Sequence, residues 1–518
     1  MSPVFRLFVF FRLVYLVLPP LVSPLSVLMP YFPPNHRRLL PPHLLLVVLL
    51  LHCTACGQEK PSNPVVPASP AVSGTPRVSA QSALPPRQRL DGRDWPVFLG
   101  PQADGSSSET GVDPARWQPI PPLVWSIELG VSYGAPTISD GRLFQFDRYG
   151  DAERLTCYSA ESGQELWHWQ AEVQYDDRFG YNNGPRCSPL VDGQLVYVYG
   201  VTGNLSCIDA QSGQRIWTRD LNTEYGVVPN FFGVASNPCI YENLLLVMIG
   251  GSTPETRHLP TERLGQVEPD GTAVVAFDKL TGEEVYRVGD GLASYASLTV
   301  ATLDGQATGL AFVREGLMGW EPASGQLLFN FPWRSSMLES VNAAMPIVEN
   351  DRVLISEAYE VGSALLSVQH GQPPSVVWQD GGPRSRCRFR AHWATPVVID
   401  GYLYGCSGRN GPDTDFRCVR LSDGEVMWTD RDRERQRSSV LQVDGYLVIL
   451  GETGTLELTR PSPVGLQVIA RANLSELNDP HSGKPLAEYP CWAAPVLSHG
   501  LLYIRGSHRL ICLDLIPQ

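Results

Sequence analysis

At seven places along the chain a polar or aromatic residue stands just ahead of a short strand signal, and its type changes from place to place. These residues are Tyr133, Arg186 and Tyr295, then Asn342, the pair His392-Trp393, Arg437 and Trp492. Aromatic faces stack on planar groups and attract cations, while a guanidinium forks onto carboxylates. Gathered at one place, such a set would bind a planar or anionic small molecule, or a peptide carboxylate. A position serving structure alone would tend to repeat one residue type, so the variety points to a lined pocket. The alternative is that these side chains fill a channel and hydrogen-bond one another. Both readings stand at the level of sequence.

Other chemistry is thinly represented. There is no phosphate-binding loop and no His-Glu-x-x-His metal motif, and no catalytic residue or metal ligand is assigned. His168 lies between Trp167 and Trp169 and reads as packing, while Asp413 and Asp415 read as a surface turn. The insertion at 251–270, with Arg257, His258 and Arg263, is a second candidate surface, for which the structural or disordered reading leads. The Arg-rich run 431–437 alternates with Asp432 and Glu434 and reads as a solvated loop. Cys157, Cys207, Cys418 and Cys512 recur at one repeat position. Equivalent positions on different repeats lie too far apart for disulfide geometry, so these four read as small core residues.

Composition narrows the class. With a formal charge of -13 the chain is a poor partner for nucleic acid, whose phosphates need Lys and Arg. Glycine (47) and proline (45) abound and charged residues make up 18%. That balance suits many short strands joined by tight turns.

The N-terminal segment has the features of an export signal. His36-Arg37-Arg38 precedes an apolar run at 44–51, which ends in Cys53-Thr54-Ala55-Cys56-Gly57. Thr-Ala-Cys-Gly resembles a bacterial lipoprotein processing site, with Cys56 as the lipidated residue, although Cys53 stands where Leu is usual. Residues 1–28 are also apolar. Either translation begins at Met29 or this stretch is an anchor, and Pro19, Pro20 and Pro24 argue against a clean spanning helix. The expected organisation is a leader over 1–56, a Pro/Ser-rich linker over 57–92 and a folded body over 93–518.

The elements that would position the candidate residues come from an internal repeat. One signal is a small residue, proline and a short strand, as in Ala135-Pro136-Thr137-Ile138 and Ser188-Pro189-Leu190-Val191. It returns at Pro238, Pro346, Pro396 and Pro495, with weaker copies at Ser297-Leu298 and Ser439-Val440. A second signal is a strand, a turn glycine and a strand reaching an aromatic, as in Cys157 through Gly163 to Trp167 and Cys207 through Gly213 to Trp217. Glycine accepts the positive φ of a tight reversal, and the aromatic fills the space between neighbouring sheets. Repeats of about 45–60 residues fit four-stranded propeller blades. The expected fold is an all-β, eight-bladed β-propeller, with seven blades if one weak copy is an insertion. The last repeat lacks its fourth strand, and Pro122-Leu123-Val124-Trp125 is available to supply it.

These signals resemble the PQQ-like β-propeller repeat family. Asp94-Trp95-Pro96-x-Phe98-x-Gly100-Pro101 and Gly184-Pro185-Arg186 are similar to a planctomycete-type group of exported propellers within it. Two relatives bracket the functions that the resemblance implies. One is the propeller lipoprotein of the outer-membrane β-barrel assembly machinery, a protein-binding scaffold; the other is the quinoprotein dehydrogenases. The second would imply PQQ with Ca²⁺, but the adjacent-cysteine pair of many such enzymes and a Glu/Asn/Asp ligand set are not found. Cys53-x-x-Cys56 is followed by glycine, not by the histidine of a haem site. The expectation is therefore a monomeric binding scaffold without a cofactor. It would face the periplasm, tethered by its lipid or apolar segment, and bind an envelope protein or peptide.

Overall fold

The computed structural model describes residues 77–78 and 83–518, apart from 229 and 382; the leader and Cys56 lie outside them. Among the described residues no helix is long and apolar enough to cross a membrane. Eight antiparallel sheets follow one another as the blades of a propeller. Blade 1 comprises Thr137–Ser139, Arg142–Tyr149, Ala152–Ser159 and Glu165–Glu172, and the same four-strand meander recurs through blade 7. Both weak sequence copies are complete. Blade 4 runs from Thr299–Leu303 to Gln326–Pro332 and blade 7 from Ser438–Val443 to Gly465–Asn473. Eight blades is correct.

Blade 8 has only three strands of its own, Val496–Ser498, Leu501–Arg505 and Arg509–Asp514. Its fourth is Leu123–Glu128, which pairs antiparallel with the third, so Trp125 faces Cys512 and Ile127 faces Leu510. The borrowed outer strand thereby covers the edge that the third strand of blade 8 would otherwise leave free. Across the same seam Asp147 of blade 1 and Arg505 of blade 8 form a buried ion pair at 2.7 Å.

A typical outer-strand aromatic obeys two local constraints, although in blade 5 it is Leu365 that faces Trp378. A small residue faces it across the strand pair: Cys157 opposite Trp167, Cys207 opposite Trp217, Cys418 opposite Trp428, and Ala276 opposite Tyr286. At five blade junctions the ring then lies on the turn glycine of the next blade, but Trp428 has no such contact, since no atom lies within 4 Å of a Cβ built on Gly465. A Cβ on Gly213 would stand 2.6 Å from Trp167, and one on Gly282 would stand 2.7 Å from Trp217. The turn glycines thus serve both backbone conformation and ring docking. All nine cysteines of the described residues are free thiols, most of them buried.

Residues 94–107 form a strap across one end of the channel. Trp95 exchanges backbone hydrogen bonds with Ile138 of blade 1, and the Pro96 carbonyl accepts from Val191 of blade 2. Farther along, Gly105 accepts from Gln442, and Ser106–Ser107 pairs in parallel with blade 7. The Trp95 ring packs on Gly100, where a Cβ would sit 2.8 Å away, which accounts for the spacing of the Trp-Pro-x-Phe-x-Gly motif.

Two expectations from composition need correction, and for the 251–270 insertion the structural reading is the one that holds. Part of the 57–92 linker belongs to the body: Arg89 donates to the Ile516 carbonyl at 2.9 Å and meets Asp514 at 2.5 Å, and the Gln88 N–H donates to Glu161. The run 431–437 is not simply solvated, because Arg435 is buried between Glu457 and Asp430. Desolvation of a guanidinium is offset there by two carboxylates, a pairing that local charge alternation does not reveal. The 251–270 insertion is structured: Leu264 and Val267 pack with Phe231 and Leu292, and Arg263 bonds Gln266.

Candidate functional site: an arginine and aromatic cavity at the channel mouth

The segments leading into the first strands converge on the axis, because each blade presents its first strand innermost. They enclose a cavity of about 270 Å³. Phe98 and Leu99 of the strap line it, with Tyr133, Arg186, Tyr295, His392, Trp393, Arg437 and Trp492 from the blades. Seven of the eight residues singled out from sequence therefore meet around one space. Asn342 does not. It is buried, and its side-chain amide N–H donates to the Val313 carbonyl at 2.7 Å while its backbone carbonyl accepts from the Tyr295 and Ala296 N–H groups. Its place in the repeat is right, but its side chain turns between blades and braces them.

The seven differ in how much of their bonding capacity is already committed. Tyr295 accepts from the Phe231 and Phe232 N–H groups and so supports a loop. Arg186 meets Asp177 at 2.6 Å and donates to the Asn182 and Gly184 carbonyls, which fixes the 175–184 segment. Arg437 lies 4.8 Å from the centroid of Trp393 and 4.9 Å from that of Trp492. Its charge is balanced by Glu452, which also accepts from the Trp492 indole N–H at 3.0 Å. Tyr133 packs its ring 4.9 Å from Trp492, and Trp393 lies 5.1 Å from Trp492 on another side.

One lining residue was missed. Arg409, at the end of the second strand of blade 6, stacks 4.1 Å over the ring of Tyr359. No carboxylate pairs with it among the described residues, whereas neighbouring Arg390 is held by Asp413 through two bonds of 2.9 Å. No repeat signal marks Arg409; it occurs once, in the Gly408-Arg409-Asn410 turn. His392 stands next to it, with Nε2 3.3 Å from the Tyr359 hydroxyl and Nδ1 without a hydrogen-bond partner among the described residues. Burial, then the charges of Arg437 and Arg409, push its pKa down to about 3, so it is neutral at ordinary pH. With Arg186 and Arg437 balanced, the cavity carries about one unit of positive charge in a chain whose net charge is -13.

The remaining candidates are structural. His168 contacts Glu165 at 2.7 Å, Asp413 and Asp415 pair with Arg390 and Arg417, and the 251–270 arginines bond locally. Gly130-Val131-Ser132-Tyr133-Gly134 has the spacing of a hydrolase nucleophile turn. Its serine is buried, however, donating to the Pro185 carbonyl and accepting from Gly134, on a loop into a first strand. A Ca²⁺–quinone centre is a poor fit. Ca²⁺ takes six to eight oxygens, carboxylates among them. None of the lining residues is Asp or Glu, and Asp177 and Glu452 are held by arginines. Among the described residues no three His, Cys, Asp or Glu side chains gather as a metal set.

Fold and repeat together define a PQQ-like eight-bladed propeller with a cationic, aromatic mouth. A family model described as outer membrane protein assembly factor BamB matches residues 122–253 and 252–430, and the chain belongs to that family. BamB from Moraxella catarrhalis is similar in structure, with 14% identity over 76% of this chain and 97% of its own, at a TM-score of 0.50. A quinohemoprotein alcohol dehydrogenase from Comamonas testosteroni is 12% identical over 82% of this chain and 81% of its own, at a TM-score of 0.46. At such identities the likeness concerns the fold alone. No curated protein matches the chain.

Proposed function

We propose that this chain is a non-enzymatic binding scaffold of the cell envelope whose axial cavity captures an anionic group on a protein or peptide partner. The observation that carries the reading is Arg409, a guanidinium stacked on Tyr359 and facing the cavity with no ion-paired carboxylate among the described residues. A planar cation held against an aromatic face is pre-organised for a carboxylate, and the partly dry surroundings strengthen the pairing. Membership of a family described by an outer-membrane assembly factor supports the envelope setting and a partner-holding role. Cys56 is the residue through which the body would be tethered on the periplasmic side.

Titration with benzoate at low salt, followed by calorimetry, tests the cavity. Uptake that Arg409→Gln abolishes while the melting temperature holds supports the proposal; no uptake by the unaltered protein rejects it. Quinone-dependent dye reduction after reconstitution with PQQ and Ca²⁺ would replace it with the oxidoreductase reading. For the tether, Cys56→Ala is expected to move the protein from membrane to soluble fractions, and an unchanged distribution rejects lipidation.

A further inference from the structure

We infer that the captured group is the C-terminal carboxylate of a polypeptide, led into the cavity across an aromatic rim. The inference rests on the scaffold reading and specifies its ligand.

The cavity is a dead end. Phe98 and Leu99 line it from the strap, which is bonded to blade 1 through Trp95 and to blade 7 through Gly105. A chain entering from the mouth therefore has no passage along the axis, and in a space of about 270 Å³ it has little room to turn back. A segment that enters must end there. Arg409 repels an amino terminus and attracts a carboxylate, and neutral His392 adds no competing charge. Of the two ends of a polypeptide, this selects the C-terminus.

The rim supplies the second half of the argument. Phe179, Tyr181 and Tyr489 are 48%, 58% and 53% exposed, unusual for large rings placed together. Tyr181 and Tyr489 lie 6.1 and 6.0 Å from Trp492, and Phe179 lies 5.4 Å from Phe232; both partners line the cavity. An unbroken aromatic surface thus runs from solvent to the arginines. Arg186 clamps the loop bearing Phe179 and Tyr181, so part of the rim is ordered before any ligand arrives.

The test compares three probes with benzoate: acetyl-Ala-Ala-Phe as the free acid, the same peptide as its amide, and acetyl-Ala-Glu-Ala amide. The free acid is expected to bind at least about tenfold more tightly than either amide. Tyr181→Ala with Tyr489→Ala should weaken the free acid about fivefold and benzoate by less, so that the ratio of the two affinities falls. Both residues are exposed, so the melting temperature should hold. Arg409→Gln should remove both ligands. An amide equal to the acid, or a side-chain carboxylate equal to a terminal one, overturns the inference. Benzoate uptake through Arg409 with no peptide uptake also overturns it but leaves the scaffold reading intact, whereas loss of every ligand sinks both.

Discussion

The indole of Trp125 lies on Gly163, although the tryptophan belongs to the last blade and the glycine to the first. A Cβ on Gly163 would stand 2.9 Å from the ring. Trp125 also donates from Nε1 to the Ala160 carbonyl at 3.0 Å, so the closing seam uses the same ring-on-turn contact as four other blade junctions.

That contact gives a graded prediction. Gly163 has φ +69° and Gly150 has φ +59°, but only the first is covered by a ring; no atom lies within 4 Å of a Cβ built on Gly150. Gly150→Ala is expected to cost about 1 kcal/mol, the left-handed backbone term alone. Gly163→Ala should cost roughly 2–4 kcal/mol, because the indole must also move. Chemical denaturation of the two variants separates the terms, and equal losses would show that the ring contact contributes nothing.

Stability should rise on mild acidification. Burial pushes Glu153 and Glu357 up to about 7 and Asp147 up to about 6, the last despite its ion pair with Arg505. Each acid has a folded pKa above its unfolded value, so the folded state takes up protons as the pH falls from about 7 toward 4.5 and gains stability. His499, raised mainly by its bond to Asp94, acts in the same sense, since its contribution is lost as pH rises through the folded value. Asp94 and Asp479 are depressed, and their contributions are lost only nearer pH 4 and below. The melting temperature should therefore be higher at pH 5 than at pH 8. Glu153→Gln keeps the acceptor for the Val201 N–H and should flatten the slope. A melting temperature that falls steadily from pH 8 to pH 5 contradicts this account.

Arg186 should matter for the loop more than for the overall fold. Arg186→Ala leaves the fully buried Asp177 side chain without its cation, at a cost of roughly 3 kcal/mol. Released from the Asn182 and Gly184 carbonyls, the segment should become a chymotrypsin substrate at Phe179 or Tyr181. Limited digestion and mass analysis of the fragments decide the matter; a variant as resistant as the parent rejects the clamp.

The thiols offer a check on packing. Burial pushes Cys418 up to about 11 and Cys207 up to about 12, and Cys512 well above the usual thiol range. Native protein should react slowly with a thiol reagent, and denatured, unreduced protein should expose every cysteine of the body. A shortfall after denaturation would reveal a disulfide.

Much of this was legible because propeller signals are local and repeated. Pro136, Gly163 and Trp167 each report on a few neighbouring residues, and eight copies reinforce one another. The pairing of Trp125 with Cys512 could be foreseen because the last repeat lacked the strand that residues 122–125 could supply. What the repeat did not explain is why cysteine recurs: Cys157 faces Trp167 across the strand pair, where a small buried side chain packs beside the indole. Asn342 was misplaced because chain position gives proximity to the axis but not side-chain direction.

The sequence alone determined the blades, their order and the closing strand, since strand alternation and turn chemistry act over a few residues. Only the tertiary structure decided which charges remain available at the mouth. Arg186 is taken up by Asp177 and Arg437 by Glu452, while Arg409, unmarked by any repeat, keeps its charge. Charge balance in a closed ring is a property of distances across loops and blades, and those distances exist only once the ring has formed.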